Sequence, residues 1–138
     1  MAQKKEHILE LEDGEMWTDF LLEIDRLMHE EKRARQENDH VKLGEICSRI
    51  ASLSFENQEY SKLMKWLLLL TKRRGQAKRA VTEMVKTSMG LVEKMPTRDL
   101  KYELLSQIRE ATNGKMYVEE EYARATRQYC EMLEEDGK

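Results

Sequence analysis

Residues that break helices or favour strands are scarce in this chain of 138 residues. It has one proline, six glycines, two phenylalanines and five tyrosines. Good helix formers dominate instead, namely Leu, Met, Glu, Lys, Arg and Ala. Because 40% of the residues are hydrophobic, the chain has enough apolar material for a core. The composition predicts an all-α protein.

Long apolar runs and cysteine patterns are also missing. The longest apolar run, Trp66–Leu70, is far shorter than the roughly 20 residues that a membrane span needs. The first residues are acidic and lack the hydrophobic region of a signal peptide. Cys47 and Cys130 match no metal or redox spacing, and both are expected to be buried. We therefore expect a reduced, intracellular protein.

Sequence motifs of enzymes are absent. The chain has no glycine-rich phosphate loop, nucleophile elbow, HExxH or CxxC motif. His7, His29 and His40 lie in highly charged stretches and are expected to be solvated. The sequence therefore predicts no catalytic, cofactor-binding or metal-binding residues, and no cofactor.

Apolar residues recur with helical periodicity along six segments. These segments pair into hairpins at about 16–54, 57–95 and 97–137, with residues 1–15 as an extension or short helix. The period of about 40 residues is typical of an α-solenoid of two-helix repeats. We expect a right-handed α-solenoid of about three antiparallel helical hairpins resembling TPR or HEAT repeats. A compact six-helix bundle is the alternative that the pattern leaves open.

Several residues mark the predicted ends of these helices. Asn57 and Thr97 are predicted N-caps of the third and fifth helices, and Asn113-Gly114 is predicted to close the fifth. Gly75 is predicted to form the turn between the third and fourth helices. The third helix is apolar on nearly all sides around its run Leu67–Leu70, so we expect neighbours on every face.

Positive charge is concentrated after that leucine run. Residues 62–86 hold eight basic residues and one acid, whereas residues 110–138 hold eight acids and four basic residues. The net charge of the whole chain is only −3. The chain is therefore locally polarised rather than basic overall. The candidate contact residues are the five basic ones of residues 72–79: Lys72, Arg73, Arg74, Lys78 and Arg79.

The position of these charges on the helices separates them into two groups. The first three are predicted to end the third helix, where cations are favourable by about 0.3–1 kcal/mol each. Lys78 and Arg79 are predicted to begin the fourth helix, where the helix dipole disfavours them. The acids near residues 131–136 are likewise predicted at the disfavoured end of the sixth helix. Solvation, compensation within the chain and docking to an acidic partner all remain open, with the five cations predicted to form an exposed ridge.

Two blocks of sequence resemble a known family. The first is Leu69-Leu70-Thr71-Lys72-Arg73-Arg74-Gly75-Gln76, followed by Ala80-Val81 and Met84-Val85. The second, more specific block spans residues 109–126 and matches "R..T.GK.YVE.E.AR.T". Both resemble the N-terminal part of the 26S proteasome non-ATPase regulatory subunit 12 family, PCI-domain subunits of the regulatory-particle lid. Glu120 departs from the pattern, since we expect an apolar residue there.

The resemblance implies a non-catalytic scaffold in ubiquitin-dependent protein degradation, located in the cytoplasm and nucleus. It implies contacts with other lid subunits, the ATPase base and the core-particle α-ring. The winged-helix module of the family is not present in the 138 residues, and we expect the chain alone to be monomeric, without membrane or nucleic-acid partners. Two alternatives stay open: a related scaffold of the signalosome or of an initiation-factor complex, and a nucleic-acid-binding helical module using residues 72–79.

Overall fold

The computed structural model of the protein describes residues 6–138, and α-helices account for most of them. The described residues contain six α-helices and no strand, in agreement with the predicted all-α class. The helices are α1 (Asp19–Gln36), α2 (His40–Glu56), α3 (Tyr60–Thr71), α4 (Lys78–Val92), α5 (Arg98–Thr112) and α6 (Glu119–Glu135). A single 3₁₀ turn, Met116–Val118, precedes α6.

Side-chain caps fix where several of these helices begin. The hydroxyl of Thr97 accepts a hydrogen bond from the backbone N–H of Leu100 (3.2 Å), so the predicted N-cap of α5 is confirmed. The predicted N-cap at Asn57 is wrong. Asn57 is the C-cap of α2, where its side-chain amide donates to the carbonyl oxygen of Leu53 (2.9 Å). The chain then reverses at Gln58, which has a φ of 58°, before α3 begins.

The helices pack in pairs along the chain: α1 with α2, α3 with α4, and α5 with α6. Packing also joins successive pairs, through α2 with α4 and α3 with α5. Within the described residues, no helix of the first pair packs extensively on a helix of the third. Each hairpin thus packs on its neighbours in the chain, as in a stack of helical hairpins rather than in a compact bundle. The handedness of the stack stays a prediction.

The contact between α2 and α4 is the most extensive in the structure, and small residues allow it. At Gly44, a Cβ atom would lie 3.0 Å from Cγ of Glu83 on α4, so the two helices approach closely there. Farther along, the hydroxyl of Thr87 lies 3.1 Å from that of Ser48 and joins the same two helices. This interface positions the start of α4 beside the start of α2, and with it the basic residues of interest.

The leucine run of α3 is buried on one side only. Leu67 and Leu70 are fully buried, Leu68 is half-buried and Leu69 is 44% exposed. Successive residues of an α-helix point about 100° apart, so four leucines in a row cover the whole circumference. Since no helix of the described residues covers α3 at Leu69, the expectation of neighbours on every face is wrong.

Residues 6–18, the described residues before α1, lie against the helical stack without forming a helix of their own. Leu9, Leu11 and Trp17 are half-buried and pack on the core. Residues 6–15 form no helix, and their backbone bends at Ile8-Leu9 and turns at Asp13-Gly14. Because residues 1–5 lie outside the described part of the chain, an extension or short helix at residues 1–15 stays a prediction.

Candidate partner-contact surface at the turn between α3 and α4

The turn that carries the candidate residues is held by specific hydrogen bonds. α3 ends at Thr71, whose hydroxyl donates to the carbonyl oxygen of Leu67 (2.6 Å). The side-chain amide of Gln76 donates to the carbonyl oxygen of Leu70 (2.9 Å), which satisfies another group at the end of the helix. Gly75 has a φ of 76°, a conformation that glycine adopts without strain, and so the predicted turn is confirmed. We call residues 72–79 the basic turn.

Four of the five candidate cations are exposed, and one is not. Lys72, Arg74, Lys78 and Arg79 are exposed to solvent. Arg73 is only 28% exposed at its side chain and lies across α1, with its Nε 3.4 Å from Oε1 of Glu31. The structure therefore leaves four residues of the predicted ridge at the surface.

Glu31, the partner of Arg73, is completely buried in α1. A second arginine, Arg35, also binds it, with Nε 3.0 Å from Oε2 and Nη2 3.1 Å from Oε1. Burial of an unpaired carboxylate would be costly. Arg35 supplies both charge and hydrogen-bond donors, whereas Arg73 supplies opposite charge at ion-pair distance and its Nε makes no hydrogen bond among the described residues. Arg73 is thus part of a structural ion cluster that fastens the end of α3 to α1.

Two more cations of the basic turn contact groups in the third hairpin. Nζ of Lys72 lies 2.5 Å from Oε1 of Glu110 on α5, and this hydrogen bond lowers the pKa of the Glu110 carboxyl. Nζ of Lys78 lies 5.5 Å from the centroid of the Tyr117 ring, within the range of a cation–π contact. Both contacts are exposed to solvent. Contacts within the chain therefore offset the positive charge of Lys72 and Lys78 in part.

Arg74 and Arg79 make no ion pair within residues 6–138. Arg79 lies in the first turn of α4, which contains no acidic residue and has no side-chain cap at Ala77. The dipole of α4 disfavours a cation at this position, and Arg79 forms no ion pair with an acid of the described residues that would offset it. The basic turn therefore carries uncompensated positive charge.

Exposed apolar side chains border the basic turn, and the sequence reasoning did not single them out. Met116 is 86% exposed and Tyr117 is 37% exposed, and the 3₁₀ turn that holds them contacts α4. Tyr117 is the ring beside Lys78. Positive charge can speed the association of an acidic partner, and the exposed apolar surface beside it can be buried in the complex. The signal available in the sequence was the GK.YVE block, which places Tyr117 in the turn after α5.

The acidic end of α6 is compensated within the chain. Arg98, at the start of α5, donates from Nε to Asp136 (2.8 Å) and from Nη2 to Glu135 (2.7 Å). The hydroxyl of Tyr102 also donates to Asp136. The hydrogen bond from Arg98 lowers the pKa of Asp136, and the same contacts raise the pKa of Arg98. We call these four residues the C-terminal latch.

The cysteines and histidines differ partly from expectation. Cys47 is buried as predicted, and burial raises the pKa of its thiol to about 12. Cys130 is exposed, so the prediction that it is buried is wrong. α6 packs mainly on α5, and Cys130 lies on the side of α6 that faces away from α5.

The histidines have different surroundings. His40 is exposed, but His7 and His29 both lie beside the buried carboxylate of Asp25. The described residues contain no group of three or more His, Cys, Asp or Glu that could hold a metal ion.

Comparison with protein families identifies the helical stack. A family model described as "PSMD12/CSN4, N-terminal" matches residues 23–138. The chain belongs to this family. The family model describes PSMD12 and CSN4 together, so membership alone does not choose between them.

Curated relatives of this PSMD12/CSN4 N-terminal chain are proteasome subunits. It is 34% identical over 115 residues to the 26S proteasome non-ATPase regulatory subunit 12 homolog A of Arabidopsis thaliana. It is 33% identical over 114 residues to that subunit of Dictyostelium discoideum, and 31% identical over 117 residues to the regulatory subunit RPN5 of Saccharomyces cerevisiae. Each match covers 83% of this chain and 26% of the relative. The chain thus spans about a quarter of the length of these relatives, which their names describe as regulatory and, in two cases, non-ATPase.

The second block of the resemblance forms the corner between α5 and α6. The hydroxyl of Thr112 donates to the carbonyl oxygen of Ile108 (2.8 Å), Gly114 has a φ of 77°, and Nε of Arg109 donates to Thr126 across the hairpin (3.0 Å). Val118 is fully buried, whereas Glu120 is exposed. The polar residue at 120 therefore faces solvent and does not disturb the packing of α6.

No helix of the described residues is long and apolar enough to cross a membrane.

Proposed function

We propose that this chain is a non-catalytic scaffold segment of the proteasome regulatory-particle lid and that it uses the basic turn to dock on an acidic surface. The observation that carries the proposal is the pair Arg74 and Arg79, two exposed cations without an ion pair in residues 6–138. The family match and the names of the relatives support the assignment to the proteasome. The stacked hairpins provide a long, rigid face for such contacts.

The proposed partners are other lid subunits, the ATPase base and the α-ring of the core particle. The proposed process is ubiquitin-dependent protein degradation in the cytoplasm and nucleus. A partner surface that presents carboxylates to Arg74 and Arg79 and an apolar group to Met116 would match the basic turn in charge and in apolar surface. Charged groups of this kind contribute mainly to the rate and specificity of association.

The test measures binding of the purified chain to isolated lid, base and core particles. The chain should bind at least one of them, and the double substitution Arg74→Glu/Arg79→Glu should weaken that binding at least about tenfold, which corresponds to about 1.4 kcal/mol. A matched control, Lys94→Glu/Arg127→Glu, reverses two exposed cations outside the basic turn and should leave binding unchanged. Absence of binding to all three particles, or equal losses in both double variants, would refute the proposal.

Nucleic-acid binding is a second candidate because of one contact. Tyr117 is exposed beside Lys78, and an aromatic ring next to a cation is the arrangement that stacks a base near a phosphate. The net charge of −3 speaks against a dedicated nucleic-acid binder. A gel-shift titration with single-stranded and duplex RNA and DNA decides the matter. Binding that falls steeply with salt and is lost in Tyr117→Leu supports this function, and no shift at low salt excludes it.

A further inference from the structure

Residues 7–15, the N-terminal segment, lie in a groove between α1 and α3. The groove has an apolar floor and basic sides, and the segment brings apolar and acidic side chains to it. The groove residues are Leu21, Met28, Lys62, Lys65, Trp66, Leu69 and Arg73. With the segment in place, the cleft between the two retains a volume of about 290 Å³.

The upstream end of the segment is held by one buried carboxylate. Asp25 of α1 is 6% exposed and accepts hydrogen bonds from the backbone N–H groups of Ile8 (2.7 Å) and Leu9 (2.9 Å). Nδ1 of His7 lies 3.0 Å from its other oxygen, and the His7 ring stacks on Trp17 at 3.9 Å. Burial alone would raise the pKa of Asp25, but these hydrogen bonds outweigh burial and lower it. One oxygen of the Asp25 carboxylate thus binds the backbone of the segment, and the other contacts the side chain of His7.

The downstream end is held by charge. An oxygen of Glu15 lies 2.6 Å from Nζ of Lys62, and an oxygen of Glu12 lies 4.0 Å from Nζ of Lys65. Between the two ends, Leu9 and Leu11 pack against the core. Apolar and acidic residues alternate along Leu9-Glu10-Leu11-Glu12. The two leucines are half-buried, whereas Glu10 is exposed and lines the cleft at its surface.

The segment and the groove differ in their relation to the family. The family match covers residues 23–138, which include every groove residue except Leu21, whereas the segment lies before the match. The segment has no secondary structure, and the described bonds of its backbone to the helices go to the side chain of Asp25. The helices of the family match therefore form nearly all of the groove, and a segment that precedes the match occupies it.

We propose that the α1–α3 groove is a docking site for a non-helical partner segment of alternating apolar and acidic residues, and that the N-terminal segment occupies it in cis as an exchangeable blocker. A tethered ligand acts at an effective concentration of about millimolar, so a partner segment competes only if it binds more tightly or the tether loosens. Lys62 and Lys65 select acidic residues, and Asp25 selects backbone N–H groups that are free of helix or strand bonding. This proposal is independent of the proposed proteasome role.

The test uses the full chain and a fluorescein-labelled peptide of residues 6–17 as the probe. Leu9→Asp/Leu11→Asp removes the apolar anchors of the segment. The matched control is Asp13→Ala, which alters an exposed residue of the same segment that does not line the cleft. Fluorescence anisotropy should show the peptide binding the double variant at least about tenfold more tightly than the wild type or the control, because the cis competitor is weakened. Adding Lys62→Glu/Lys65→Glu to the double variant should remove this binding.

Several results would contradict the proposal. Equal binding to wild type and double variant, or binding that survives Lys62→Glu/Lys65→Glu, shows that the groove is not the site. Loss of helical circular dichroism in the double variant shows that segment and groove form one folding unit and do not exchange. If the wild type forms concentration-dependent dimers in sedimentation and the double variant does not bind the peptide, the groove binds a second copy of this chain and the proposed partner segment is refuted.

The selection for acidic residues is tested with a second peptide. A peptide with its acidic residues changed to glutamine should bind the double variant at least about tenfold less tightly, and equal affinity refutes selection for acids.

Discussion

The basic turn and the C-terminal latch both place charges at helix ends where the helix dipole disfavours them, but only the latch neutralises them. In the latch, the cation Arg98 begins α5 and the acids Glu135 and Asp136 close α6, so each offsets the other across the hairpin. In the basic turn, Arg79 begins α4 and has no acidic partner in residues 6–138. A charge at a disfavoured helix end that forms an ion pair within the chain stabilises the fold, whereas a charge without such a pair is available to bind another molecule.

The same distinction divides the basic turn itself. Arg73 is directed inward to the buried carboxylate of Glu31, while Arg74, its neighbour in sequence, remains exposed and unpaired among the described residues. Adjacent arginines thus have different roles. Substitutions can separate these roles, since the inward residues should affect stability and the outward residues should affect binding.

The largest effect on stability is expected for Glu31→Ala. Removing the buried carboxylate leaves Arg35 and Arg73 partly buried without their counter-charge, and losses of this kind cost about 3 kcal/mol. Urea unfolding measures the loss, and Glu37→Ala, an exposed residue after the same helix, is the control expected to change little. A loss below about 1 kcal/mol would mean that the cluster does not stabilise the fold.

Local patterns in the sequence predicted most of the helices and the place of the basic turn. The 3.6-residue spacing of apolar residues located α1 to α6, Thr97 marked a helix start, and Gly75 marked the turn. These features depend on neighbours within a few positions. The N-cap of α3 was misplaced by two residues, because a left-handed residue at Gln58 separates Asn57 from the helix.

Features that depend on distant partners were not predictable in this way. The pairs Arg73–Glu31 and Arg98–Asp136 join residues about 40 positions apart, and no local pattern relates them. The exposure of Leu69 and Cys130 depends on which helix faces have neighbours in the stack. Sequence composition located the excess of positive charge, but only the packing decided which of the five cations remain free.

A smaller effect on stability is expected for Arg98→Ala, which removes the cation of the latch. The melting temperature should fall, because Glu135 and Asp136 then lie unopposed at the negative end of the α6 dipole. Asp136 has a folded pKa below its ordinary value of 3.8, so its contribution is present above that value and is lost as the pH falls through the folded pKa. The difference in melting temperature between wild type and Arg98→Ala should therefore shrink below about pH 4.

Thermal scans from pH 7 to pH 2.5 measure this difference. Lys94→Ala, an exposed cation at the same end of the stack without an ion pair in the described residues, is the control. A difference that stays constant with pH would show that Arg98 stabilises the hairpin by packing on Tyr102 rather than by its charge.

A change of opposite sign is expected for Arg79→Glu. A carboxylate in the first turn of α4 replaces a disfavoured cation, so the free energy of unfolding should rise, by up to about 1 kcal/mol at low salt. Partner binding should fall in the same variant. Arg79→Gln removes the charge without reversing it and should give an intermediate result for both. If Arg79→Glu lowers stability, the arginine has a structural role that its lack of an ion pair conceals.

The smallest effect is expected for Tyr117→Leu, which tests whether Lys78 is paired or free. An exposed cation–π contact is worth about 0.5–1 kcal/mol, and the leucine retains part of the apolar contact with the stem of Lys78, so unfolding should change by at most about 0.5 kcal/mol. The double-mutant cycle with Lys78→Met isolates the coupling between the two side chains. A coupling near zero assigns Lys78 to the free cations beside Arg74 and Arg79. A coupling above about 1 kcal/mol assigns it to the compensated ones beside Arg73, and the proposed contact surface then narrows to the two arginines.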